Sequence, residues 1–145
     1  MSKAAPLIND PTGAEIEEAR SEDERALREL LDRWVTAIRN HDLAAIEKDR
    51  TKDIVMFDVP EPLQLKGMEQ YLDSWRLYFK FDGSKTFQLQ ELKVSIGSDI
   101  AWAHAILRCE GVPEATARLT VGFIKQDGAW KVAHEHHSGP MTVDR

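Results

Sequence analysis

The stretch RLTVGFIKQDGAWKVAHEHHS, residues 118–138, reads as two β-patterned runs joined by Asp127-Gly128. Aspartate followed by glycine between alternating apolar residues is a hairpin signal, because both residues tolerate the positive φ that tight turns need. Side chains on a strand alternate between faces. Trp130, Val132, His134, His136 and Ser138 therefore share one face of the second strand, and Arg118, Thr120, Gly122 and Ile124 one face of the first. A three-residue loop with Gly128 at positive φ pairs Gln126 with Trp130. Counting back, it sets Ile124 against Val132, Thr120 against His136 and Arg118 against Ser138. The resulting surface is apolar near the turn and polar away from it, as the floor of a ligand pocket would be. His137 then projects to the opposite face, exposed or at an interface.

The chain has 145 residues, enough for one domain with a sizeable core. A net charge of −6 and the lack of any basic run argue against a nucleic-acid partner. No apolar run reaches the 18 residues of a membrane span and no signal-peptide core is visible, so the expected location is the cytoplasm. A single cysteine, Cys109, excludes an internal disulfide and reads as a small buried hydrophobe.

Residues 1–14 carry Pro6, Pro11 and Gly13 and few large apolar groups, and are expected to be a flexible tail preceding a single domain over 15–145. Helical patterning starts near Glu15, and Ser21 to Glu24 has the form of a capping box. Leu27, Leu30, Leu31, Trp34, Val35 and Ile38 follow as one core-facing stripe. Asp42 is placed to cap a short second helix holding Leu43 and Ile46. A β run over 54–59 ends at Pro60, and Gly67 opens a third helix with Met68, Tyr71, Leu72, Trp75 and Phe79 on one side. After Asp82-Gly83 come four strand-like runs, about 86–96, 100–110, 114–126 and 130–138, separated by turn residues at 97–99, 111–114 and 127–128. This order predicts an α+β fold in which a curved antiparallel sheet wraps over helices.

Trp34, His41-Asp42-Leu43, Phe57-Asp58 with Pro60, Gly67, Trp75, Arg118-x-Thr120, Asp127-Gly128-x-Trp130 and His134-Glu135-His136-His137-Ser138-x-Pro140 together give the chain a recognisable pattern. It resembles the NTF2-like superfamily, and within it the SnoaL-like, ketosteroid-isomerase-related proteins, over roughly residues 20–140. The resemblance implies the cystatin-like cone, a curved sheet over three N-terminal helices, in a fold that commonly dimerises sheet to sheet. It does not specify a reaction, since one fold hosts many chemistries. In ketosteroid isomerases the base is an aspartate nine residues before the glycine that opens the third helix, and Asp58 and Gly67 have that spacing. The oxyanion-holding tyrosine and protonated aspartate of those enzymes fall here at Trp34 and Thr120. An indole N–H and a hydroxyl each donate one hydrogen bond but are neither phenol nor carboxylic acid, so true ketosteroid isomerisation is not expected.

The candidate catalytic residues are Asp58, His136 and His134. Asp58 is either a general base in an apolar cone or a strand-end carboxylate satisfied by turn amides. The two histidines either shuttle protons in a shared pocket or hold the helix layer or a dimer partner. Candidate substrate-binding residues are Trp34, Trp75, Trp102, His104, Arg118 and Thr120. Arg118 can hold a carboxylate or enolate, pair with Asp58 or Glu135, or stand at the open rim. Thr120 is placed to orient His136. Trp34 and Trp75 lie on helix stripes and serve first as core. Trp102 and His104 alternate with Ala101, Ala103 and Ala105, whose methyl face would admit a second layer, such as another subunit. His134 and His136 with His104 form a three-nitrogen pattern, but its spacing alone specifies no metal, and neither metal nor cofactor is expected. Two functions follow. One is a cofactor-free acid/base enzyme (isomerase, cyclase or dehydratase) acting on a small apolar carbonyl compound. The other is a non-catalytic ligand-binding or dimerisation module. A homodimer through the sheet face is expected in either case.

Overall fold

The computed structural model of the chain describes residues 11–81, 84–109 and 116–144. The sequence readings that fall on residues 1–10, Asp82-Gly83 and the turn at 111–114 lie outside the described residues. Three helices, α1 (Gly13–Arg39), α2 (Leu43–Lys48) and α3 (Met68–Tyr78), accompany six strands. These are β1 (Arg50–Phe57), β2 (Leu65–Lys66), β3 (Gln88–Ile96), β4 (Ile100–Arg108), β5 (Thr116–Gln126) and β6 (Ala129–Ser138). They form one sheet in the order β2-β1-β6-β5-β4-β3. All pairs are antiparallel except β1 with β6, which run parallel across the long connection formed by β2, α3 and β3 to β5.

α1 begins earlier than its apolar stripe. Its capping box is Thr12 with Glu15, not Ser21 with Glu24: the Glu15 amide donates to the Thr12 hydroxyl at 3.1 Å and the Thr12 amide donates to the Glu15 carboxylate at 3.0 Å. The stripe then buries Leu27, Leu30, Leu31, Trp34, Ala37 and Ile38. The early turns are tethered to the strand turns: Arg20 donates to the Gly97 carbonyl, and Asp23 accepts from Lys125 Nζ and the Trp130 indole. Asp42 caps α2 by accepting from the Ala45 amide at 3.1 Å. Gly67, at φ 82°, precedes α3, whose inner face buries Tyr71, Leu72 and Trp75.

The β5–β6 hairpin corrects the predicted register. Asp127 and Gly128 both have positive φ (51° and 79°) and close a two-residue loop, so Gln126 pairs with Ala129, Lys125 with Trp130 and Phe123 with Val132. The extra residue sits deeper, at Ala133, where a bulge lies between Val132 and His134. Beyond it Thr120 meets His136 and Arg118 meets Ser138, as expected. A bulge shifts the alternation by one residue. Trp130 and Val132 face the core before it, and Glu135 and His137 face the core after it.

The inner sheet face is therefore Leu119, Val121 and Phe123 on β5 with Ala101, Ala103 and Ala105 on β4. Those alanine methyl groups pack inside the chain's own core and are not available to a second subunit. The side that meets solvent carries Trp102, 50% exposed, and Ile100, 64% exposed.

Candidate functional site

A cavity of about 310 Å³ opens between α3 and the inner sheet face. That volume is at the lower end of small-molecule sites. Leu77, Phe81, Phe87 and Leu107 supply much of its wall. β1 brings Ile54, Met56 and then Asp58 to the inner side by simple alternation, and Met56 and Asp58 line the cavity. Oδ1 of Asp58 accepts the Val59 amide at 2.8 Å. From β6 comes His137, which also lines the cavity and is only 7% exposed.

Burial holds the His137 imidazole below its ordinary pKa; Glu135 and Asp58 work against that shift, while His136 and Arg50 add to it. The ring is neutral at pH 7. Its neighbours are indoles: Trp75 at 5.7 Å and Trp34 at 6.4 Å between centroids. Ser74 and Tyr78 also line the cavity but are already engaged, Ser74 Oγ with the Tyr71 carbonyl and the Tyr78 hydroxyl with Cys109 Sγ at 2.6 Å. Burial pushes the half-buried Cys109 thiol up, against the opposing Tyr78 bond.

Beneath the cavity lies a buried ionic cluster. Arg50 Nη2 meets Glu135 Oε1 at 3.2 Å, and Arg50 Nε donates to the Tyr71 hydroxyl at 2.9 Å. The guanidinium also stacks over the Trp34 ring at 5.2 Å. Burial by itself would lower the Arg50 pKa, but Tyr71 and Glu135 outweigh it and the net shift is upward. Burial likewise raises the Tyr71 phenol, so it keeps its proton. The Trp75 indole N–H is directed at Tyr71 and lowers its pKa a little, without closing a well-formed hydrogen bond.

The predicted site residues divide sharply. Asp58 and Trp75 line the cavity. Trp34 lies one layer behind it, edge-on to Trp75 at 5.7 Å and to Phe87 at 5.5 Å. His134, His136, Arg118, Thr120, Trp102 and His104 do not line it. His136, Arg118, Thr120, Trp102 and His104 are exposed on the outer face: the bulge at Ala133 turns His136 outward, the two-residue turn sets Phe123 rather than Ile124 beside Val132 and so turns Arg118 and Thr120 outward, and Trp102 and His104 pair with Gly122 and Thr120 on that same side. His134 is half-buried there, its Nδ1 2.6 Å from the Val55 carbonyl and its ring against Phe57. Arg118 donates to Ser138 Oγ and the Gly139 carbonyl rather than to Asp58 or Glu135. Among the described residues no group of three His, Cys, Asp or Glu is arranged to hold a metal ion.

Sequence reasoning missed His137, Glu135, Arg50 and Tyr71. A signal existed for the first two. Leu119, Val121 and Phe123 are a more apolar set than Arg118, Thr120 and Gly122, so the odd positions of β5 mark the core. Cross-strand pairing then carries Glu135 and His137 inward with Val121 and Leu119.

The profile of the SnoaL-like domain matches residues 27–142. The chain belongs to the SnoaL-like domain family. An NTF2-like protein of unknown function from Pseudomonas putida KT2440 is 34% identical, with 86% of this chain and 91% of that one superposed at a TM-score of 0.77. Two solved structures show the shared fold alone. One is a candidate dehydratase of the NTF2-like family from Streptomyces avermitilis (15% identity, 84% and 99% covered, TM-score 0.69). The other is a candidate ketosteroid isomerase from Shewanella frigidimarina (19% identity, 76% and 92% covered, TM-score 0.62). Among curated proteins, F-box protein SKIP8 of Arabidopsis thaliana is 31% identical over 80 residues; the match takes in 54% of this chain but only 33% of the relative's length. The SnoaL-like domain has, among its described residues, no helix long and apolar enough to cross a membrane.

Proposed function

We propose that this SnoaL-like domain binds a small, mostly apolar carbonyl compound in its cavity and moves a proton on it without a cofactor. The observation that carries the reading is a carboxylate and a neutral imidazole, Asp58 and His137, lining one largely apolar cavity. Asp58 and His137 form the acid/base pair. A C–H bond α to the carbonyl breaks, its proton goes to the pair, and its electrons move into an enolate. Return of the proton to another carbon is an isomerisation, and its delivery to a departing hydroxyl is a dehydration. Attack of the enolate carbon on a second carbonyl closes a ring.

The test needs no knowledge of the natural substrate. Exchange of the α hydrogens of 1-indanone in D2O, followed by NMR, is faster with the protein than without it. Asp58→Asn and His137→Gln each reduce that acceleration on the order of 10²–10⁴-fold, the range general acid–base groups supply. His136→Gln does not. The rival reading is a non-catalytic binder, favoured by the bond that already occupies one Asp58 oxygen. Wild-type protein that binds 1-indanone yet leaves its exchange rate unchanged decides for the binder.

The same proposal includes a cytoplasmic homodimer through the outer sheet face, where Trp102 and Ile100 are exposed beside His104. Light scattering on the wild type and on Trp102→Lys distinguishes a dimer weakened by the substitution from a chain that is monomeric throughout.

A further inference from the structure

The ionic cluster under the cavity has more polar atoms than partners. Six buried side-chain polar atoms lack a hydrogen bond among the described residues, and five of them belong to this one cluster: Trp34 Nε1, Arg50 Nη1, Trp75 Nε1, Glu135 Oε2 and His137 Nε2. Leaving a buried polar atom unsatisfied is costly, so their gathering in one place calls for a reason. Two of them are complementary. Glu135 and His137 are alternate residues of β6 and face the same side, one fully buried and the other nearly so. Glu135 Oε2 can only accept while the carboxylate is charged, and a ring nitrogen bearing hydrogen can only donate. Oε1 of the same carboxylate is fixed by Arg50.

We propose that Glu135, anchored by Arg50, is the positioning residue for His137: it accepts from Nε2–H through one internal water, and so leaves Nδ1 unprotonated toward the cavity. This rests on His137 being the proton carrier of the pocket. When Nδ1 takes a proton from the ligand, the imidazolium stands between two carboxylates, Asp58 at the cavity and Glu135 in the core. The buried carboxyl group, fixed by Arg50, holds the ring's orientation, the part a buried acid plays beside a catalytic histidine. Arg50 neutralises Glu135 at rest, which is how a carboxylate survives full burial. The charged and titratable groups around the ring are thus Arg50 at the start of β1 and Asp58 just past its end, with Glu135 and His136 from its own strand. Tyr71 on α3 completes the cluster through Arg50.

The experiment is ¹⁵N NMR of histidine-labelled protein across pH, which reads tautomer and titration whether or not turnover occurs. The expected wild-type His137 signal is a single tautomer with its proton on Nε2. Glu135→Gln removes the negative charge, moves the His137 titration down by at least about half a pH unit and abolishes the fixed tautomer. Tyr71→Phe perturbs the same cluster without removing a charge and leaves both as in the wild type. If Glu135→Gln does not fold, Arg50→Met with Glu135→Leu replaces the pair by apolar groups, a change buried ion pairs often tolerate, and the same loss of tautomer is expected. A wild-type proton on Nδ1 overturns the proposal. So does a His137 tautomer and titration unmoved in the variant that folds. Loss of α-hydrogen exchange in Asp58→Asn tests the acid/base reading separately, since that variant keeps the Glu135–His137 pair.

Discussion

The two faces of one strand carry three histidines to different fates. His134 and His136 stand on the outer side of β6, against Phe57 at 4.8 and 5.3 Å between ring centroids, with His136 exposed. His137, one residue further, is buried against two tryptophans at the base of a cavity. The same side chain is a surface group in one case and a neutral, desolvated one in the other. Neither the residue type nor its neighbours in sequence distinguish them; a one-residue bulge does. Burial also has to be compensated. The inner face accepts Glu135 only because Arg50, 85 positions away in the chain, reaches it.

The contrast breaks most completely if the bulge is removed. Deleting Ala133 restores strict alternation, so either Trp130 and Val132 or Glu135 and His137 must leave the core. The expected outcome is loss of a cooperative thermal transition by circular dichroism. Next is Glu135→Ala, which strands the Arg50 guanidinium in the core and costs about 3–5 kcal/mol in urea unfolding. His136→Ala, on the other face, stays within about 0.5 kcal/mol. Asp23→Ala leaves the Trp130 indole N–H without its acceptor and frees Lys125; a loss of about 1–2 kcal/mol is expected.

A gentler contrast is one of pH. The folded-state pKa of His137 lies below 6.5. As the pH falls through 6.5 the unfolded chain takes up that proton first, so the unfolded state binds more protons and stability declines. The contribution is whole above pH 6.5 and is lost progressively towards the folded-state pKa. His137→Phe flattens this part of the stability–pH curve, and His136→Gln leaves most of it. Smallest is Trp102→Lys, expected to change monomer stability by no more than about 0.5 kcal/mol, since half of that side chain already meets solvent.

Much of the fold is legible in the chain because its signals are local. Asp42 caps α2 with its own side chain, Gly67 supplies the positive φ before α3, and Asp127-Gly128 closes the hairpin. Asp58 could be placed on the inner side because it follows Ile54 and Met56 on an unbroken alternation. The histidine run resisted the same reasoning. Alternation from the apolar pair Trp130 and Val132 points His134 and His136 inward, and Ala133 carries no local mark of a bulge. Arg50 gave no sign of being buried, because its partners Tyr71 and Glu135 lie on α3 and β6.

By itself the sequence determined the order of the three helices and the five longer strands, the cap of α2, the place of the β5–β6 turn, the SnoaL-like family and the inward course of β1. Those depend on hydrogen bonds and alternations spanning a few residues, which any stretch of chain carries with it. Only the tertiary structure decided which histidine enters the cavity and which charges may be buried. Both depend on neighbours brought from β1, α1 and α3. A charge leaves water only where the fold supplies its counter-charge.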